Sequence, residues 1–233
     1  MQARTLAKKS NMAKVCVSVI GKSMTEMAKS ADEALSQGAD LVEFRLDFLR
    51  FPVQGNITDT LQSYTKDAIL TLRPPEEGGT FSGKEQERIA LLERLADLNP
   101  SYLDIELRTL RKNQHLADRL ADTEKIVSWH DLKETPSPSE LLGILTEAQS
   151  HGGLPKIICT ARSPADNLSI LALYDHMSEI IAFCMGELGI LSRVAAIELG
   201  SPISYASLPD RPVADGQLTL GQMLALRRRI SGA

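Results

Sequence analysis

The chain has 233 residues, 43% hydrophobic and 24% charged, the balance of a folded globular protein and not of a disordered or fibrous one. Its 26 Lys and Arg against 30 Asp and Glu give a net charge of -4, which leaves no positive excess for a polyanion and argues against nucleic acid as a partner. No apolar run approaches the roughly 20 residues that cross a bilayer, and residues 1–13 lack the apolar stretch of a secretory leader, so the expectation is a cytoplasmic protein with no membrane partner.

Residues 1–13 read as a flexible tail, in which Met12 offers a second start, or alternatively as a short organelle-targeting peptide, since the first acidic residue is Glu26. Residues 14–233 then form one domain. Within it, short apolar stretches bounded by turn or capping residues predict strands at 15–20, 41–46, 68–72, 102–107, 125–129, 156–160, 179–185 and 203–208. Helical patterns fall between them at 24–37, stopped by Gly38, at 84–98, and at 139–150 behind Pro138. Strand and helix in alternation imply parallel strands joined by right-handed crossovers, and eight such units in this length predict an α/β fold, a single-domain (β/α)8 TIM barrel. The competitor is an open doubly wound sheet, but no G-x-G-x-x-G follows the first strand and no P-loop pattern occurs.

Cys16, Cys159 and Cys184 are far apart and sit in or beside apolar runs, so they are expected as reduced core residues. His115, His130, His151 and His176 show no metal-ligand spacing with each other or with these thiols, and no metal site is expected. The densest turn signals, at 73–83 and 207–216, mark the segments most suited to cover a site.

Chemistry in a parallel barrel sits at the carboxyl ends of the strands, and polar residues collect there. The second strand ends in Glu43, Arg45 and Asp47, set on one face by the period-two rule, either as an internal salt-bridge layer or as ligands for a substrate. The third leads to Arg73, then Glu77-Gly78-Gly79; the fourth offers Asp104 and Glu106, read as supporting residues. His130 ends the fifth, where its near-neutral pKa suits proton transfer, whereas His115, His151 and His176 fall in helices or at their ends and read as surface or packing residues. Lys156 opens the sixth strand, either exposed at its amino end or desolvated as a nucleophile; Ser192-Arg193 follow Gly189 at a helix start that suits a carboxylate or a plain salt bridge.

In this order, Glu43-Phe44-Arg45-Leu46-Asp47, Arg73 with Glu77-Gly78-Gly79, His130-Asp131, Pro155-Lys156-Ile157 and Gly189 with Ser192-Arg193, the chain from about residue 14 onward resembles the type I 3-dehydroquinate dehydratases. The resemblance implies a (β/α)8 hydro-lyase of the shikimate pathway of aromatic amino-acid biosynthesis, which removes water from 3-dehydroquinate through a Schiff base without metal or organic cofactor, and implies a homodimer. It makes Lys156 the imine-forming residue, His130 the general acid and base, and Glu77 the residue that orients His130. It assigns Glu43, Arg45 and Arg73 to the substrate hydroxyls, Arg193 to the carboxylate, Ser18 and Gln217 to further polar contacts, and Phe183, Met185 and Tyr205 to apolar walls. Phe183 departs from the methionine frequent there in bacterial members, and Val213 and Asp215 replace a hydroxyl residue and a proline of the family's closing loop; a backbone amide or Ser207 is expected to supply the lost contact. Two other readings remain at this point: an imine-forming aldolase on the same barrel, and a non-catalytic barrel that binds a shikimate-type acid.

Overall fold

A computed structural model describes residues 12–50 and 57–231, so residues 1–11 of the expected tail lie outside the described residues. The strands are β1 (Lys14–Val19), β2 (Leu41–Arg45), β3 (Ala68–Thr71), β4 (Tyr102–Glu106), β5 (Lys125–His130), β6 (Leu154–Thr160), β7 (Ile181–Met185), β8 (Ile203–Ser207) and a two-residue β9 (Leu218–Thr219). The helices are α1 (Met24–Ser36), α2 (Ile57–Gln62), α3 (Glu85–Ala96), α4 (Leu107–Lys112), α5 (Gln114–Arg119), α6 (Pro138–Ser150), α7 (Pro164–Leu171), α8 (Ile190–Glu198) and α9 (Leu220–Ser231). All eight expected strands are present, and β9 is an addition that the sequence pattern did not reveal.

Every ladder is parallel, in the order β7-β6-β5-β4-β3-β2-β1-β8-β9. The strands curl into a barrel, because one interior apolar cluster takes a residue from each of β1 to β8: Cys16, Leu41, Ile69, Tyr102, Ile126, Ile158, Ile181 and Ile203. The seam between β7 and β8 carries no ladder and is spanned by side chains of that cluster. A second, larger cluster fills the space between the outer face of the sheet and the helices. Burial on both faces is why the strands read as short, nearly continuous apolar runs.

Local signals set the helix ends. Ser137 Oγ accepts from Glu140 N while the Glu140 carboxylate accepts from Ser137 N, and Pro138 occupies the first turn of α6. Ser23 caps α1, and Gly38 follows it at φ 97°. The three cysteines are free and buried, with Cys16 facing the barrel interior and Cys159 and Cys184 facing the helices.

Candidate active site

Strand parity builds the site in layers. Inward positions alternate along each strand, so above Leu41, Ile69, Tyr102, Ile126, Leu154, Ile181 and Ile203 come Glu43 on β2, Thr71 on β3, Asp104 on β4, Ser128 on β5, Lys156 on β6, Phe183 on β7 and Tyr205 on β8. The next layer toward the carboxyl ends holds Ser18, Arg45, Arg73, Glu106, His130 and Met185. All twelve residues expected at the site, Ser18, Glu43, Arg45, Arg73, Glu77, His130, Lys156, Phe183, Met185, Arg193, Tyr205 and Gln217, line one cavity of about 380 Å³.

Lys156 is the third residue of β6, which begins two residues earlier than its apolar run suggests, so the lysine lies inside the barrel and not at an exposed strand start. Its Nζ donates to Asp104 Oδ2 at 2.9 Å, lies 3.6 Å from Glu43 Oε1, and sits 4.1 Å above the Tyr205 ring centroid. Asp104 belongs to the centre of the site. Its other oxygen meets Arg73 Nη2 at 2.9 Å and accepts from Ser128 Oγ at 2.6 Å. Burial works to raise the Asp104 pKa, but Arg73 and Lys156 overcome it and hold the carboxyl well below its ordinary range.

Arg73 is held by the protein at both terminal nitrogens: besides the Nη2 contact with Asp104, Nη1 meets Glu106 Oε1 at 2.8 Å and Ser128 Oγ at 2.6 Å. Glu106 is bonded from the other side of the sheet by the buried Arg88 of α3, at 2.8 Å. Glu43 accepts from Ser18 Oγ at 2.6 Å and from Thr71 Oγ1 at 2.9 Å. Arg45 faces the cavity, whereas Asp47 sits beyond β2 in a short helical turn, Leu46–Phe48; the two pair through two 2.9 Å bonds. Asp47 also accepts from Thr80 N at 3.0 Å, which ties the loop after β3 to the end of β2.

That loop delivers Glu77. A turn at Pro75–Glu77 ends on Gly78 at φ 81°, and a Cβ on Gly79 would lie 1.9 Å from Arg73 O, so only glycine lets the chain fold back this closely. Glu77 Oε2 then accepts from the His130 backbone N–H at 3.0 Å and faces His130 Nδ1 at 3.0 Å. Burial pushes the Glu77 carboxyl up to about 7, partly opposed by Arg73. Burial, reinforced by the nearby Arg73 and Lys156 charges, holds His130 well below its ordinary pKa, so its imidazole is neutral near pH 7.

The β7–β8 side is different. The Arg193 guanidinium is buried over the Phe183 ring at 4.2 Å, its Nε has no hydrogen-bond partner among the described residues, and burial alone lowers its pKa to about 10. Tyr205 Oη is also buried, with no hydrogen-bond partner among those residues. Ser192 turns the chain into α8 by donating to Gly189 O and accepting from Cys184 N, both at 2.9 Å. The loop after β8 brings Val213, Ala214, Asp215 and Gln217 to the cavity mouth. There Gln217 braces its own loop, accepting from Val213 N at 2.9 Å and donating to Ala206 O at 3.0 Å, while Ser207 is buried apart from the lining.

The site residues that sequence reasoning missed are Thr71 and Ser128, both inward by parity on β3 and β5, together with Leu132, Thr160 and Gly186 of the lining. Counting inward positions from a known strand end would have found the first two.

The sequence model of the type I 3-dehydroquinase family matches residues 15–231. A 3-dehydroquinate dehydratase of Methanothermobacter thermautotrophicus is 39% identical over 207 residues, covering 88% of this chain and 91% of that protein. One of Desulfotalea psychrophila is 35% identical over 225 residues, 93% and 97% of the two chains. The crystal structure of the 3-dehydroquinate dehydratase of Aquifex aeolicus VF5 aligns with a TM-score of 0.77 at 31% identity, over 93% of this chain and 98% of that one. That of Geobacillus kaustophilus HTA426 aligns with a TM-score of 0.85 at 23% identity, over 94% and 91%, a likeness of fold.

Proposed function

This chain belongs to the type I 3-dehydroquinase family, and from that premise we propose that its cavity converts 3-dehydroquinate to 3-dehydroshikimate and water through an imine on Lys156. The observation that carries this reading is a buried amine, a buried guanidinium whose Nε has no hydrogen-bond partner among the described residues, and a histidine held by Glu77, all lining one cavity. An amine can bond to a ketone carbon, the guanidinium can take the substrate carboxylate, and the histidine can move the proton.

In this mechanism Lys156 gives one ammonium proton to His130 and its Nζ adds to the ketone carbon; a second proton passes from nitrogen to the alkoxide oxygen, and the carbinolamine loses water as His130 returns its proton to the departing hydroxyl. The iminium keeps a positive charge beside Asp104 and Glu43, the same carboxylates that hold the free ammonium, so the site is already arranged for it. His130 Nε2 then removes a proton from the carbon between the imine and the hydroxyl-bearing carbon. The C–H electrons pass to nitrogen as an enamine, return to expel the hydroxyl, and His130 gives that oxygen the proton to leave as water. A further water hydrolyses the imine, releasing product and Lys156. The iminium is the electron sink, so the chemistry requires neither metal nor organic cofactor.

Glu77, accepting from His130 Nδ1–H, leaves Nε2 unprotonated toward the cavity. Glu43 and Arg45, with Arg73 behind them, hold the substrate hydroxyls, helped by Ser18 and the remaining N–H of Gln217. Phe183, Met185 and Tyr205 exclude water. We propose further that residues 14–233 are one catalytic domain acting as a cytoplasmic homodimer, as the family resemblance implies; no helix among the described residues is long and apolar enough to cross a membrane. Neither the aldolase nor the binding-only reading is favoured by the family match.

The test is mass analysis after mixing protein, 3-dehydroquinate and borohydride, which reduces an imine to a stable amine. A substrate-dependent adduct on the peptide carrying Lys156 is expected, with turnover and adduct both lost in a folded Lys156→Ala variant. Undiminished turnover in that variant would sink the mechanism.

A further inference from the structure

Among the described residues Glu77 is the one carboxylate in contact with the His130 ring, and its two oxygens are unequally served. Oε2 has both His130 contacts, while the buried Oε1 has no hydrogen-bond partner among the described residues. The charged group beside Oε1 comes from outside the cavity: Arg108, the second residue of α4, places Nη1 3.8 Å away. Its guanidinium lies 5.3 Å from the centroid of the Trp129 ring, on the strand residue next to His130. The indole thus fixes a partly exposed, flexible side chain against the back of the pair.

Arg73 also favours the charged form of Glu77, but it and the other charges nearby are engaged elsewhere or of like sign. Arg73 is shared among Asp104, Glu106 and Ser128, Glu106 is a like charge, and Arg111, further along α4, is engaged by Glu147. Around His130 itself stand Arg73, Lys156 and Arg45, with Asp104 opposing them. Arg108, by contrast, has Glu77 as its only carboxylate partner among the described residues.

We infer that Arg108, held on the Trp129 face, is a positioning residue for the dehydration: it secures the Glu77 carboxylate, and through it the His130 tautomer whose Nε2 faces the substrate. This rests on the proposed dehydratase reading. With Glu77 charged, Nδ1–H donates to Oε2 and Nε2 is the base. With Glu77 neutral, nothing selects that tautomer, and His130 cannot begin the proton transfer. Since burial already brings the Glu77 carboxyl to about 7, the loss of one nearby cation matters in the working pH range.

The experiment compares pH profiles of kcat/KM from about pH 5.5 to 9 for the wild type, Arg108→Met and Arg108→Lys. Methionine keeps apolar contact with Trp129 and removes the charge. Its acid limb is expected to move up by about one pH unit, so that the rate deficit grows to about tenfold below the limb and closes above it. Lysine is expected to recover most of the shift. Long-range proton–nitrogen NMR of His130 in the free protein near pH 7 reads the same coupling without turnover, with Nδ1–H dominant in the wild type and a tautomer mixture in Arg108→Met. An unchanged profile and spectrum, or a deficit equal at every pH, would overturn the inference. Absence of any dehydration by the wild type would instead refute the functional reading, with the NMR comparison still deciding the role of Arg108.

Discussion

On the β3–β6 side of the cavity, Arg73, Asp104, Glu106 and Lys156 meet partners at 2.8 or 2.9 Å. On the β7–β8 side, Arg193 Nε and Tyr205 Oη are equally buried and have none among the described residues. The contrast separates two uses of buried polarity. A satisfied network holds its own geometry and keeps the charge environment of the lysine constant through the reaction. An unsatisfied donor in an apolar wall destabilises the free protein and is repaid only when a ligand supplies the missing acceptor.

The largest effect expected from breaking this comparison is at Arg73. Arg73→Met orphans parts of Asp104, Glu106 and Ser128 at once, and should lower the urea-unfolding free energy by about 3 kcal/mol, toward the smaller end because Lys156 and Arg88 still hold the two carboxylates. Arg193→Met should do the reverse in kind. Methionine keeps the contact with Phe183 and removes a buried cation with no carboxylate partner among the described residues, so the melting temperature should not fall, while KM for 3-dehydroquinate rises about 10- to 100-fold. A melting temperature several degrees lower in that variant would show that Arg193 is a structural residue. The smallest effect belongs to Tyr205→Phe, which removes only the orphan hydroxyl and keeps the ring beneath Lys156. Stability should be unchanged or improve by up to about 1 kcal/mol, with KM raised by about two- to tenfold if the hydroxyl meets substrate. Calorimetry together with steady-state kinetics on the three proteins places each residue on its side of the divide.

Much of this site was legible because parallel-barrel physics sends chemistry to the strand ends. Glu43, Arg45, Arg73 and His130 stand at or just beyond the ends of apolar runs, where polar residues have no packing reason to gather. Lys156 was not legible by that rule. Its side depends on where β6 starts, and Leu154-Pro155 extend the strand by two residues that carry no strong strand signal of their own. Asp104 read as a supporting residue because a strand carboxylate looks alike whether its neighbour is an arginine or the central lysine; the β3–β4 pairing brings it to Arg73 and the β4–β5–β6 register brings it to Lys156. The pairing of Arg45 with Asp47 was hidden for a similar reason, since the strand ends at Arg45 and a helical turn resets the alternation.

By itself, the sequence determined the alternation of short buried strands and capped helices, hence the barrel, and the order in which reactive residues arrive at its open end. Those features follow from local hydrophobic period and turn chemistry, which each segment carries independently of its neighbours. Tertiary structure alone decided which charges are neutralised and which are left waiting. Lys156 meets Asp104 from 52 residues away, and Glu77 meets His130 from 53. No local pattern encodes such distances, because they arise only when curling of the sheet brings separate strand ends around one small cavity.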